Sequence, residues 1–211
     1  MLALLFLAGC ETSAQKEASR MGEAVKTGLS QMRACNERAY ASDEMQALKG
    51  KMPPLEGTPA MELQTNTTLP TTQESAILTQ LHRNYLAECR RIAVEEAAKA
   101  HPAFGAVVAQ NNTQADIAYA KLVQRQTTWG QFAQASMERQ TAVRAALVDA
   151  EGKIKQQLNS AHAFEIQQRQ AMAAALSQMA YQQQVIAALN KPITLNCTRS
   201  TSGRAIDCTG Y

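Results

Sequence analysis

The residues with the most chemistry to offer in this 211-residue chain are five cysteines and three histidines. The cysteines are Cys10, Cys35, Cys89, Cys197 and Cys208, and none forms a Cys-x-x-Cys or Cys-x-His pair, so no zinc site is expected. His82, His101 and His162 fall outside the His-Glu-x-x-His and Glu-x-x-His spacings of helical metal sites. No Gly-x-Ser-x-Gly elbow, phosphate loop or Gly-x-Gly-x-x-Gly turn occurs, so hydrolase and nucleotide chemistry have no foothold. Glu95 and Glu96 lie among helix-forming alanines and read as a solvated face rather than an acid–base pair. Arg90 and Arg91 offer an anion contact, but adjacent residues on a helix point apart. The expectation is a protein without catalytic residues, metal or cofactor.

The cysteine at position 10 has a context of its own. The chain opens Met1-Leu2-Ala3-Leu4-Leu5-Phe6-Leu7-Ala8-Gly9-Cys10, an uncharged apolar run too short for a bilayer span of about 20 residues. It matches the apolar core of a secretory signal. Leu7-Ala8-Gly9-Cys10 resembles the lipobox of bacterial lipoproteins. In that family a diacylglycerol is attached to the cysteine sulfur, and the peptide is cut just before it. The resemblance implies a signal peptide over residues 1–9, an acylated Cys10 and a stable membrane anchor through two or three chains. No charge precedes Glu11, so a basic region is expected upstream of Met1. Glu11 rather than Asp after the cysteine implies, by analogy with enterobacterial lipoproteins, the periplasmic face of the outer membrane.

Export would place the other four thiols in an oxidising compartment, where two disulfides in three connectivities are open to them. Residues 193–199 and 204–208 are short β-capable runs flanking Ser202-Gly203. Pairing about that turn sets Cys197 opposite Cys208, within disulfide range, and a bond there would staple a hairpin that is marginal alone. Cys35 and Cys89 then remain for each other. The alternative for that pair is two buried thiols packed as small hydrophobes.

The elements that carry these residues read as helices. Hydrophobic residues make up 45% of the chain and aromatics 5%, so Ala, Leu, Met and Val dominate, as suits close helix packing. The net charge of +3 is too small to point to nucleic acid. Met21, Val25, Leu29, Met32, Cys35 and Ala39 form a helical stripe over residues 12–49, ended by Gly50 and Pro53-Pro54. Residues 52–72, with four prolines and a polar Thr-rich run, predict an extended, mobile linker. Thr71 or Thr72 is a candidate cap for a helix whose stripe is Leu78, Leu81, Tyr85, Cys89 and Ile92, broken by Pro102. A further helix is expected over 104–125, with Asn111-Asn112 as an interruption. Thr128 and Gln131 have capping-box spacing, and Trp129 between them is expected to pack over the helix corner. From Gln131 to Asn190 the only breaks on offer are Gly152 and Asn159-Ser160. The seam there runs Phe132, Val143, Leu147, Ala150, Ile154, Leu158, Ala161, Met172, Leu176, Met179 and Ile186. The five glutamines at 170, 178 and 182–184 argue against a membrane span.

The resulting expectation is an all-α fold: an elongated helical bundle or coiled-coil-like body with a small disulfide-closed C-terminal hairpin. Its parts are a signal peptide (1–9), an N-terminal helix (10–51), a linker (52–72), a helical body (73–191) and the hairpin (192–211). The function expected is that of a lipid-anchored envelope protein with a structural, tethering or adaptor role. Its partners would be the membrane, through Cys10, and a protein or second copy, through the helical seams. The alternative is a periplasmic helical bundle that binds a small ligand or cell-wall material in a cavity near Tyr85, Tyr119 or Trp129.

Overall fold

The computed structural model describes residues 11–54, 57–189, 195–199 and 206–210, with backbone alone for 188–189 and the last two segments. The fold class is all-α, a helical bundle. Two compact units divide the chain, Met1–His162 and Ala163–Tyr211.

Capping chemistry sets most helix starts in the first unit. Helix α1 (Ser13–Ala41) opens on a capping box: Gln15 N donates to Thr12 Oγ1 at 3.3 Å and Thr12 N donates to Gln15 Oε1 at 2.9 Å. The expected helix over 12–49 is interrupted at Ser42. That side chain donates to the Ala39 carbonyl at 2.7 Å and accepts from Met45 N at 3.2 Å, ending α1 and starting α2 (Asp43–Ala47). After the short α3 (Met61–Gln64), a second box at Thr71 and Glu74 opens α4 (Thr72–Leu81). One π-helical turn, His82–Leu86, joins it to α5 (Ala87–Ala100). His101 caps α6 (Pro102–Val123), with Pro102 at its first position, where the missing N–H costs nothing. Asn111 and Asn112 do not interrupt it. A third box, at Thr128 and Gln131, opens α7 (Trp129–Leu189), which continues unbroken past Gly152 and Asn159-Ser160.

Helices α1 and α5 pack antiparallel in a seven-residue register, with Gly28 against Glu96 and Cys35 bonded to Cys89. At the end of that seam Arg20 donates to the carbonyls of Lys99 and Ala100 at 2.8 and 3.2 Å, satisfying the otherwise open C-terminus of α5. Glu96, read from sequence as solvated, is buried against Gly28 and paired with Lys99 at 2.5 Å. Helices α5 and α6 also run antiparallel, with Gly105 against Ala98 and Asn112 donating to the Arg90 carbonyl at 3.0 Å. The main core gathers Met45 and Leu48, Leu63, Leu78 and Leu81, Tyr119 and Leu122, and Trp129, Phe132 and Ala133.

The proline-rich segment corrects its expectation of an extended, mobile linker. Pro53, Pro59, Leu63 and Pro70 are buried, and α3 lies within it. The first N–H groups of any helix lack partners within the helix, and here the segment's carbonyls supply them. Trp129 N donates to Thr68 O at 3.1 Å and Gly130 N to Asn66 O at 2.8 Å. That approach is too close for a side chain: a Cβ on Gly130 would lie 2.6 Å from the Gln64 carbonyl oxygen and 2.7 Å from that of Asn66. Gly130→Ala is expected to destabilise the fold by about 3 kcal/mol, the upper end for overpacking against backbone. Gly152→Ala meets nothing within 4 Å and is expected to stabilise it by about 0.5–1 kcal/mol. Urea unfolding of the two variants beside the parent protein checks both signs.

In the second unit, α7 carries Phe164, Met172, Leu176, Met179 and Ile186, each more than half exposed. Further on, Leu195–Arg199 (β1) and Ile206–Gly210 (β2) pair antiparallel with Cys197 and Cys208 in register. Their side chains and residues 200–205 lie outside the described residues, and with them the expected Cys197–Cys208 bond.

Candidate functional site

A cleft of about 200 Å³ opens where α1, α5, α6 and α7 meet in the first unit. One wall is apolar, from Met52, Pro53, Leu86, Tyr119 and Phe132. The other holds Arg90 and Arg139 with the polar side chains of Asn36, Ser136 and Gln140. Tyr40 closes one edge by donating from its hydroxyl to the Pro53 carbonyl at 2.5 Å, which fixes the proline segment to α1. The π-helical turn carries Leu86 to the cleft, and such single turns recur at functional sites.

Tyr119 and Arg90 are held by their neighbours. The Tyr119 hydroxyl donates to the Leu78 carbonyl at 2.8 Å, presenting the ring face to the Arg90 guanidinium, 5.8 Å from its centroid. Arg90 is also paired with Asp116, and its Nη1 lies 3.4 Å from His82 Nε2. Arg139, half-buried, reaches only Ser136 Oγ, at 3.3 Å; among the described residues no carboxylate pairs with it.

Charge is concentrated here at some cost. Burial, and then repulsion from Arg139, weakens the hold of Arg90 on its proton, and burial does the same to Arg139. Both remain cationic at physiological pH, since the guanidinium group is not deprotonated in proteins. Burial pushes the Tyr119 phenol up, with Arg90 opposing it. Burial and then Arg90 lower the His82 pKa, leaving that imidazole neutral around pH 7. Asp116 lies 3.2 Å from the ring and pulls the other way, but it is half-exposed and shared with Arg90.

A wider groove of about 460 Å³ lies between α6 and α7 and shares Phe132 and Arg139 with the cleft. Ile117, Lys121, Gln131 and Glu138 also line it, so its charges are mixed.

The residues singled out in the sequence are distributed widely. Cys10 lies outside the described residues. Cys35 and Cys89 are bonded, with Cα atoms 5.5 Å apart, and both are buried. Of the three aromatics expected around a cavity, Tyr119 lines the cleft, Tyr85 packs against the core from its edge and Trp129 is fully buried within it. Arg90 and Arg91 diverge as adjacent residues should: Arg91 faces outward and pairs with Glu88 and Glu95. His101 is a helix cap and His162 Nδ1 meets Thr12 Oγ1 at 2.9 Å. Among the described residues no three His, Cys, Asp or Glu side chains gather as a metal site would need.

Sequence reasoning missed Arg139. Nothing near it on α7 marks it out, and it joins Arg90 of α5 only in the folded cleft. No family model matches the chain, and neither a curated protein nor a solved structure does.

Proposed function

We propose that the chain is a lipid-anchored protein of the cell envelope, held through acylated Cys10 at the periplasmic face of the outer membrane, with a structural, tethering or adaptor role. The lipobox-like run supports the address. The Cys35–Cys89 bond is in keeping with it, because disulfides persist mainly in oxidising compartments. A disulfide-closed hairpin at Cys197 and Cys208 is part of the same reading.

One observation carries the adaptor role. At about 100° per residue, Phe164, Met172, Leu176, Met179 and Ile186 fall within an arc of roughly 120° on α7, and all five are exposed. Contiguous apolar surface left in water marks a contact surface more often than not. Among the described residues no helix is long and apolar enough to cross a membrane. The stripe suits a coiled-coil-like pairing with an amphipathic helix of a partner protein.

A photo-crosslinking residue in place of Leu176, in native envelopes, is expected to trap a partner of discrete mass. Glu at Met172, Met179 and Ile186 together is expected to abolish that adduct while leaving unit one folded. An adduct indifferent to those changes, or none, would defeat the adaptor role; an adduct of twice the chain mass would assign the partner as a second copy.

The second reading, a small-ligand bundle, is favoured by the cleft between Tyr119 and the two arginines. The two readings are compatible, since the stripe and the cleft lie in different units.

A further inference from the structure

Two guanidinium groups, Arg90 and Arg139, line the cleft, and no carboxylate is among its described lining residues. Asp116 is taken by Arg90, while Arg139 has only the Ser136 hydroxyl, a neutral acceptor. Holding a cation in a partly buried, apolar-walled space is costly unless an anion completes it. A planar guanidinium is suited to oxyanions, which it can grip with two parallel hydrogen bonds. Asn36 and Gln140 add neutral amide donors beside it.

Size and lining narrow the class further. A cavity of about 150 Å³ is enough for benzene, so the 200 Å³ here accommodates one flat ring or short chain with its head group. Met52, Pro53, Leu86 and Phe132 form an apolar wall on which such a body would lie.

We infer that this cleft is a binding site for a small organic acid, an oxyanion head on a flat apolar body, with Arg139 gripping the head and Arg90 adding positive field beside it. The inference deepens the small-ligand reading and rests on it. The adaptor role of α7 does not bear on it.

The test is calorimetric titration of the full chain with benzoate, phenyl phosphate, inorganic phosphate and benzyl alcohol. Benzoate or phenyl phosphate is expected to bind at least about tenfold more tightly than benzyl alcohol, which has the ring without the charge. Whichever of the two acids binds better assigns the head as planar or tetrahedral. Arg139→Gln is expected to weaken that acid by about tenfold or more, consistent with losing a charged hydrogen bond. Arg139→Lys keeps the charge but not the planar fork, and is expected to weaken it severalfold. This second variant decides the matter should the first fail to fold.

Two results would overturn the inference. Equal binding of benzyl alcohol and benzoate would leave a ligand site but remove its selectivity for anions. Binding indifferent to both Arg139 variants would place the ligand elsewhere. Should none of the four probes bind, the small-ligand reading falls together with the inference.

Discussion

Trp129→Ala is expected to lower the free energy of unfolding by about 4 kcal/mol, within the range for truncating a buried aromatic. The ring is fully buried at the junction where α7 begins, in one cluster with Leu48, Leu63, Leu78, Leu122 and Phe132. These side chains come from α3, α4, α6 and α7 and the turn after α2, so the ring holds apart surfaces that cannot readily close over a void. Trp129→Phe separates packing from polarity. The indole Nε1–H is buried with no acceptor among the described residues, so replacing it forfeits no protein hydrogen bond. Lys51 Nζ lies 5.9 Å from the ring centroid, and phenylalanine retains a weaker form of that attraction. The phenylalanine variant is therefore expected to lose less than half as much. Urea unfolding followed by circular dichroism measures both, and an alanine variant within 1 kcal/mol of the parent would show the ring to be dispensable.

Replacing Cys35 and Cys89 together by alanine is expected to cost a similar amount. The bond joins residues 54 apart in sequence, and the chain-entropy relation for a loop of that size gives about 4 kcal/mol. Little of this comes from lost packing, because the sulfurs are small and alanine fills much of their volume. The effect acts mainly on the unfolded chain, which gains freedom when the loop is open. Unfolding midpoints of parent and double variant, each with and without reductant, isolate it. The parent is expected to drop on reduction and the variant, at this site, to have nothing left to lose. A double variant as stable as the oxidised parent would mean that the α1–α5 seam is sufficient without its covalent link.

Much of the helical plan was legible because its signals are local. Thr128 with Gln131 is a three-residue relation and forms the cap that its spacing predicts, and of the two candidates Thr71 and Thr72 it is Thr71 that caps α4. His101 before Pro102 ends one helix and caps the next. The disulfide was legible by pairing the cysteines that the hairpin left over. What was not legible depends on distant parts of the chain. Ser42 breaks the first helix because its hydroxyl serves Ala39 and Met45 at once, a choice that propensity does not settle. The proline segment lost its freedom because the exposed N–H groups of α7 needed carbonyls, and residues 66 and 68 were in reach. Glu96 reads as solvated among alanines, yet Gly28 lets α1 approach and cover it. The cleft itself joins Arg90, Tyr119 and Arg139 from three helices, and no window of sequence contains them together.

The π-helical turn at His82–Leu86 bears on how the length of this chain can change over evolution. Inserting or deleting one residue in an ordinary α-helix rotates everything beyond it by about 100° and misaligns every later contact. An i→i+5 turn is where one surplus residue has already been absorbed. Deleting a residue there would relax the turn to ordinary α geometry while leaving Cys89, Arg90 and Glu96 facing their present partners. Relatives of this protein one residue shorter between Leu81 and Ala87 would thus keep both the α1–α5 bridge and the arginine of the cleft. An alignment gap elsewhere in α4 or α5 would signal that one or the other had been lost.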